Sequence, residues 1–237
     1  MGQYYNPSIL KTNHKLAKNP VAVSLCSWDF GNGLKLMEHS WAGNNFVGAF
    51  IHLIGENSPY FGQPCVWAGD YADSYLNRLS KPEDDADNIY FLANKVQDKL
   101  NKMCGCGFDS SRKTLEDLNL KYYHLFGKNM FYNSYEWVTN YKGEKHRRDF
   151  VDCRNNLDTY KYVINIRTKE YIEIPEPSDT DWIVHPLPIL LADGNGRGGG
   201  DYHGLNMEFV GKWAFHPIGA TNEIPKGYKK LDIIFQE

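Results

Sequence analysis

Five glycines fall within residues 194–200 of this chain, in the run GNGRGGG. Ordering a glycine costs more backbone entropy than ordering any other residue. A folded chain keeps such a cluster where the backbone must take positive φ, or where a ligand or a second segment lies directly on it. Successive glycine N–H groups can form a concave nest that binds anions. Gly196, Gly198, Gly199 and Gly200 are the candidates for that contact. Arg197, in their midst, carries a planar fork of donors suited to phosphate or carboxylate. Asp201 and His203 follow in GDYHG. Both residue types ligate metals, orient a ribose or exchange protons. A plain flexible linker would carry serine and lysine instead, so the loop is expected to be anchored, with Tyr202 packing or stacking beside it.

The spacing Gly194-x-Gly196-x-x-Gly199 matches the dinucleotide fingerprint in letters alone. That fingerprint needs a strand before it and a helix after it. Here Pro186 and Pro188 interrupt the preceding apolar run, WIVHPLPILL, and more glycine follows where a helix should begin. The GxxxxGK[ST] pattern of the P-loop is absent from the chain. A second apolar run, CVWA at residues 65–68, also delivers Gly-Asp-Tyr into a loop, as Gly69-Asp70-Tyr71 with Asp73 just beyond. Carboxylates at the end of a buried strand are placed where α/β sheets make ligand contacts. Asp70 and Asp73 read either as metal ligands and base, or as a turn residue and a helix cap.

The segment YVINIRTKEY at residues 162–171, the WIVHPLP run and GNGRGGGDY together resemble a family of uncharacterised bacterial and phage proteins. NGLKLMEHSW at residues 32–41 and VWAGDYAD at residues 66–73 resemble the same family. The resemblance spans most of the chain. It implies one intact domain and carries no catalytic assignment.

The 237 residues suffice for one large domain or two small ones. A net charge of −3 argues against a sequence-independent nucleic-acid binder with a broad basic face. The 16 tyrosines favour strands and supply amphipathic contacts. Cysteine number and scatter describe no secreted disulfide framework, and CGC at residues 104–106 lacks the second pair that a zinc site needs. The opening MGQYYNPSILK lacks the pattern of a signal peptide. A cytoplasmic protein is expected, in a bacterium or in a phage-infected cell, with no membrane partner.

Asn44 is placed to cap a buried helix over residues 45–54. Residues 88–103 show the clearest helical periodicity, with Asp87 as cap. Strands are expected at 21–28, 65–68, 210–215 and 231–235, with a hairpin over 162–174. Residues 1–19 read as irregular, punctuated by Pro7, and GEKHRRDF at 143–150 as a basic loop. The fold class expected is therefore α+β: one domain, with a mixed or mostly antiparallel sheet and two main helices. Residues 108–160 would form an insertion or lid, and the two Gly-Asp-Tyr loops would face one pocket.

Three functions fit these residues. The first is binding of a phosphate-bearing small ligand, a nucleotide or nucleotide signal; the family resemblance implies a setting of phage–host conflict. Gly196–Gly200 and Arg197 would hold the phosphate, and Tyr71 or Tyr202 would stack the base. The second is a metal-assisted hydrolase or transferase on the same site. Asp70, Asp201, His203 and His185 would be its catalytic candidates, with Asp70, Asp73 and Asp201 around Mg²⁺. The third is inhibition of a host protein through exposed aromatic side chains.

Overall fold

The computed structural model describes residues 2–15, 19–72, 88–103 and 113–236. Its centre is a mixed eight-stranded sheet. The strands are β1 (Tyr5–Leu10), β2 (Val21–Ser24), β3 (Gln63–Gly69), β6 (Tyr162–Asn165), β7 (Glu170–Glu173), β8 (Ala192–Asp193), β9 (His216–Thr221) and β10 (Lys229–Lys230). Their order is β10-β7-β6-β9-β3-β1-β2, with β8 beside the far half of β3. Only β8 on β3 and β10 on β7 are parallel pairs. Between β5 and β6 in the chain comes no further sheet strand; β4 (Tyr132–Thr139) and β5 (Lys145–Asp152) form a separate two-stranded ribbon.

Strand β3 is covered on both faces, which explains its unbroken apolar run. Cys65 and Trp67 enter the main core, whereas Val66 and Ala68 enter a second cluster with Leu10, Ile89, Leu92 and Ala93. Two layers of helix supply those covers. On one face lie α2 (Asn45–Leu53) and α5 (Pro186–Leu191); on the other lies α3 (Ile89–Met103). The Asn44 side chain caps α2 as expected, accepting from Phe46 N at 2.9 Å and Val47 N at 3.2 Å. At α3 the first described residue, Asn88, accepts from Tyr90 N at 2.8 Å. Asp87, Asp73 and the CGC run lie outside the described residues.

Several expectations are corrected. Residues 5–10 are an interior strand rather than an irregular start. Pro7 argued against a strand because proline cannot complete an interior ladder. Pairing of β1 with β2 begins only at Ser8, and the Pro7 carbonyl takes the Ser24 hydroxyl at 2.9 Å. Pro186 and Pro188 start a helix: they occupy the first turn of α5, where no N–H is needed, and His185 caps it. The second half of the 21–28 run closes into a single turn, Ser27–Phe30. Residues 34–41, whose letters suit strand and helix alike, contain the short helix α1 (Leu36–His39). Residues 210–215 form turns packed back on α5, with Gly211 N donating to Ile189 O and Trp213 N to Leu190 O. Residues 231–235 are not strand; the pairing stops at Lys230. The basic loop is strand β5.

A third long helix, α4 (Leu115–Phe126), carries a capping box between Thr114 and Asp117 that the letters TLED spell out. Its Leu118 and Tyr122 join the main core. Within the 108–160 region, α4 thus belongs to the body, and the exposed ribbon β4–β5 stands apart.

Candidate functional site

β8 leaves α5 and runs parallel to the end of β3, pairing Ala192 with Trp67 and Asp193 with Ala68. The loops that follow the two strands, at Asp70 and at residues 194–201, therefore emerge at the same sheet end. Between them lies the segment that enters β1. Gly2 forms a parallel bridge with Gly199; Tyr4 N donates to the Asp70 carboxylate at 3.0 Å, and Tyr4 O accepts from Asp70 N at 2.9 Å.

The bare main chain of the glycine loop is occupied by this entering segment. A β-carbon on Gly198 would stand 2.2 Å from Gln3 Cβ and 2.7 Å from Gln3 N. One on Gly194 would stand 2.4 Å from the Tyr5 hydroxyl, and one on Gly200 2.5 Å from Lys35 Cδ. Gly200 also has φ +91°, which glycine adopts at little cost. Gly196, with φ +66°, meets nothing within 4 Å.

Asp201 holds the loop shut. Its Oδ2 accepts from Gly198 N at 2.8 Å, and its Oδ1 from the Tyr5 hydroxyl at 2.8 Å. The Gln3 amide, oriented as its neighbours require, donates to Oδ2 at 3.0 Å and accepts Tyr71 N–H at 3.2 Å. Gln3, Tyr5 and Asp201 are all buried. Burial, and then Asp201 beside it, push the Tyr5 phenol far up, so it stays a protonated donor. Burial likewise raises the Asp70 carboxyl, with a smaller contribution from Asp201.

A cavity of about 450 Å³ opens under this clamp, lined by Tyr5, Asp193, Asn195, Asp201 and Tyr202, with Leu36, Ala192, Met207, Val210 and Phe215 among its apolar walls. Its charged side chains are carboxylates.

The sequence candidates divide around it. Asp201, Gly196 and Tyr202 reach the cavity. Tyr202 is a buried anchor: its hydroxyl donates to Leu205 O at 2.6 Å and accepts from Gln236 N at 3.0 Å, and its ring meets Phe235 edge-on. The packing expected of Tyr202 is thus seen. Gly198 has its N–H committed to Asp201, and Gly199 and Gly200 contact the Gly2 and Lys35 neighbourhood. Arg197, His203 and Tyr71 are exposed and outside the cavity wall. His185 is buried at the start of α5, away from this site. Its Nδ1 accepts from Leu187 N, and burial drops its pKa to about 3.

Among the described residues no group of three or more His, Cys, Asp or Glu is arranged to hold a metal ion. Asp70 accepts from Tyr4 N and Asp201 from its three donors, so the Mg²⁺ set drawn from the sequence is not assembled by its described members. The two Gly-Asp-Tyr loops do converge, but on Gln3 rather than on one open pocket. Gln3, Tyr5, Asp193 and Asn195 were not singled out from sequence. Asp193 alone carried a usable signal, a carboxylate directly after a buried run. Comparison with protein families, with curated proteins and with solved structures finds no match.

Proposed function

We propose that the chain binds a small polar ligand in the cavity beneath residues 194–201. The observation that carries this reading is a cavity of about 450 Å³ at a sheet end, with an apolar floor and a wall of Asp193, Asn195 and Asp201. Pockets of a few hundred cubic ångströms, apolar with a few convergent polar groups, are where small ligands sit. A carboxylate wall favours the hydroxyl or amine face of a ligand. A nucleotide fits this arrangement with its sugar inward and its phosphate outward, toward exposed Arg197 and the Gly196 main chain. Phosphate recognition deep in the cavity is disfavoured, because among the described residues no cationic side chain lines it.

Titration calorimetry with a matched panel of nucleosides and nucleotides tests this reading. Nucleosides binding about as tightly as their nucleotides support the carboxylate wall as the recognition element. Binding by nucleotides alone would move recognition to Arg197. No heat from any member, on folded protein, removes the nucleotide reading.

A second reading, docking to a protein partner, rests on the ribbon. Tyr135, Trp137 and Tyr141 on it are 55%, 66% and 94% exposed, and exposed aromatics of this kind anchor interfaces. Capture of a stoichiometric partner that is lost on Trp137→Ala, but kept on Asp193→Asn, would favour it.

A further inference from the structure

A second polar cluster lies away from the glycine loop. Asp29, on the turn Ser27–Phe30, accepts from Lys113 Nζ at 2.7 Å on one oxygen. Its other oxygen accepts from Lys121 Nζ at 2.5 Å and from the Tyr122 hydroxyl at 2.7 Å. The side chains of Asp29 and Lys121 are 0% exposed and that of Lys113 is 4% exposed. Two ammonium groups therefore share one buried carboxylate. A buried charge without a counter-charge is costly; the site must either lose a proton or gain an anion. Burial drives Lys121 downward and Asp29 opposes it, with a net lowering. The Asp29 carboxyl lies below its ordinary value, because the two lysines outweigh its burial.

The two lysines are not equivalent. Lys121 is sealed in and, with Tyr122, already satisfies one oxygen of Asp29. Lys113 lines a cavity of about 340 Å³, together with Trp28, Trp41, Arg148 and Arg154. The Arg148 partner there is Glu136 at 3.2 Å, with side chains 65% and 44% exposed. Exposed pairs of that kind hold weakly, so Arg148 can turn to a ligand. Trp28 is 51% exposed, and Trp41 stacks at a tilt on Trp182 with ring centroids 5.4 Å apart. Among the described residues, a planar wall and a surplus cation thus meet in one cavity.

We propose that this cavity is a second binding site, for a small organic anion bearing a planar ring. The anionic group would pair with Lys113, leaving Asp29 to Lys121 and Tyr122. The ring would lie against Trp28 and Trp41, with Arg148 and Arg154 at the rim. This site is independent of the cavity under the glycine loop, which among the described residues has carboxylates and no cation on its wall.

The test is tryptophan fluorescence of the full chain, titrated with benzoate, phenyl phosphate, inorganic phosphate and benzyl alcohol. The two ring-bearing anions are expected to quench saturably, and at least about tenfold more tightly than benzyl alcohol, their neutral counterpart. Comparison of benzoate with phenyl phosphate identifies the preferred anion. Inorganic phosphate binding as tightly as phenyl phosphate would remove the planar-ring part of the proposal. Lys113→Met should abolish the preference for anions, and Lys113→Arg should keep it. Benzyl alcohol binding as well as the anions, or no saturable quenching by any probe, overturns the proposal without recourse to a variant. Unchanged anion binding by folded Lys113→Met overturns it as well.

Discussion

Replacing Gly198 by alanine asks directly what the glycine cluster is for. The added carbon would stand 2.2 Å from Gln3 Cβ, 2.7 Å from Gln3 N and 3.0 Å from Gln3 Cα. Carbon atoms settle about 3.5–4.0 Å apart, so one segment must retreat by more than about 1 Å. Two of the three atoms are main chain and cannot swing aside. The retreat pulls Gln3 and Gly198 N from the Asp201 carboxylate. Overpacking a tight site costs about 1–3 kcal/mol, and a hydrogen bond to a charged group contributes about 1.5–3 kcal/mol. Partial relaxation trims the sum, so about 3–5 kcal/mol is expected. For a chain of this size each kcal/mol lowers Tm by about 2–4 °C, which makes the loss about 6–20 °C. Gly196→Ala is the control: it has φ +66° and no atom within 4 Å. Only the left-handed backbone penalises it, by about 1–2 kcal/mol. Thermal and urea denaturation of both variants decide the matter. If Gly196→Ala is the more damaging, or both behave as wild type, the packing of the entering segment on the loop is not what the glycines serve.

Asp201→Ala should cost about 3–5 kcal/mol, because Gly198 N–H, the Tyr5 hydroxyl and the Gln3 amide lose their acceptor in a buried site. Asp201→Asn, which keeps one acceptor, should cost less than half as much by urea denaturation; equal losses would contradict the clamp. A pH dependence follows from His39 and His185. His39 Nε2 accepts from Trp67 Nε1 at 2.8 Å and His185 Nδ1 accepts from Leu187 N at 3.2 Å, so a second ring proton would face a donor in each case. Burial holds them down to about 4 and about 3. The folded state therefore takes up fewer protons than the unfolded chain. The stability they contribute is complete above about pH 6.5 and declines as pH falls toward those values. Denaturation at pH 5 against pH 7 should show about 2 kcal/mol lost for each histidine; an unmoved midpoint would refute the assignment.

Elements with a strong local code were legible in the chain. The Asn44 cap, the periodic stripe of α3, the apolar run of β3 and the β6–β7 hairpin all appear where their letters place them. What misled was proline read without its surroundings. Pro7 sits in an interior strand because its neighbour β2 has not yet begun to pair there. Pro186 and Pro188 looked like breaks in a strand, yet the first turn of a helix asks for no N–H at those positions. Helix α4 had its capping box in plain letters, and the weak periodicity around it hid the helix. Gln3 gave no signal at all. Its role comes from being threaded between two loops nearly seventy and two hundred residues away, and no local pattern encodes that.

The glycine cluster shows how a sound premise can point at the wrong partner. Exposed main chain in a folded protein does imply that something rests on it. Here that something is the chain itself: Gln3 of the entering segment lies against Gly198 and Gly194, and Lys35 at the start of α1 lies against Gly200 and Gly2. The premise thus accounts for the closure of the loop without a phosphate. Asp201, at first sight an acid or metal ligand, is engaged by three donors and acts as the latch. On the proposed function, recognition comes from what the latch encloses, the wall of Asp193 and Asn195 over an apolar floor. The two proposals consequently call for opposite chemistry, donors at the glycine loop and an anion at Lys113. A ligand screen run on charge alone should separate them.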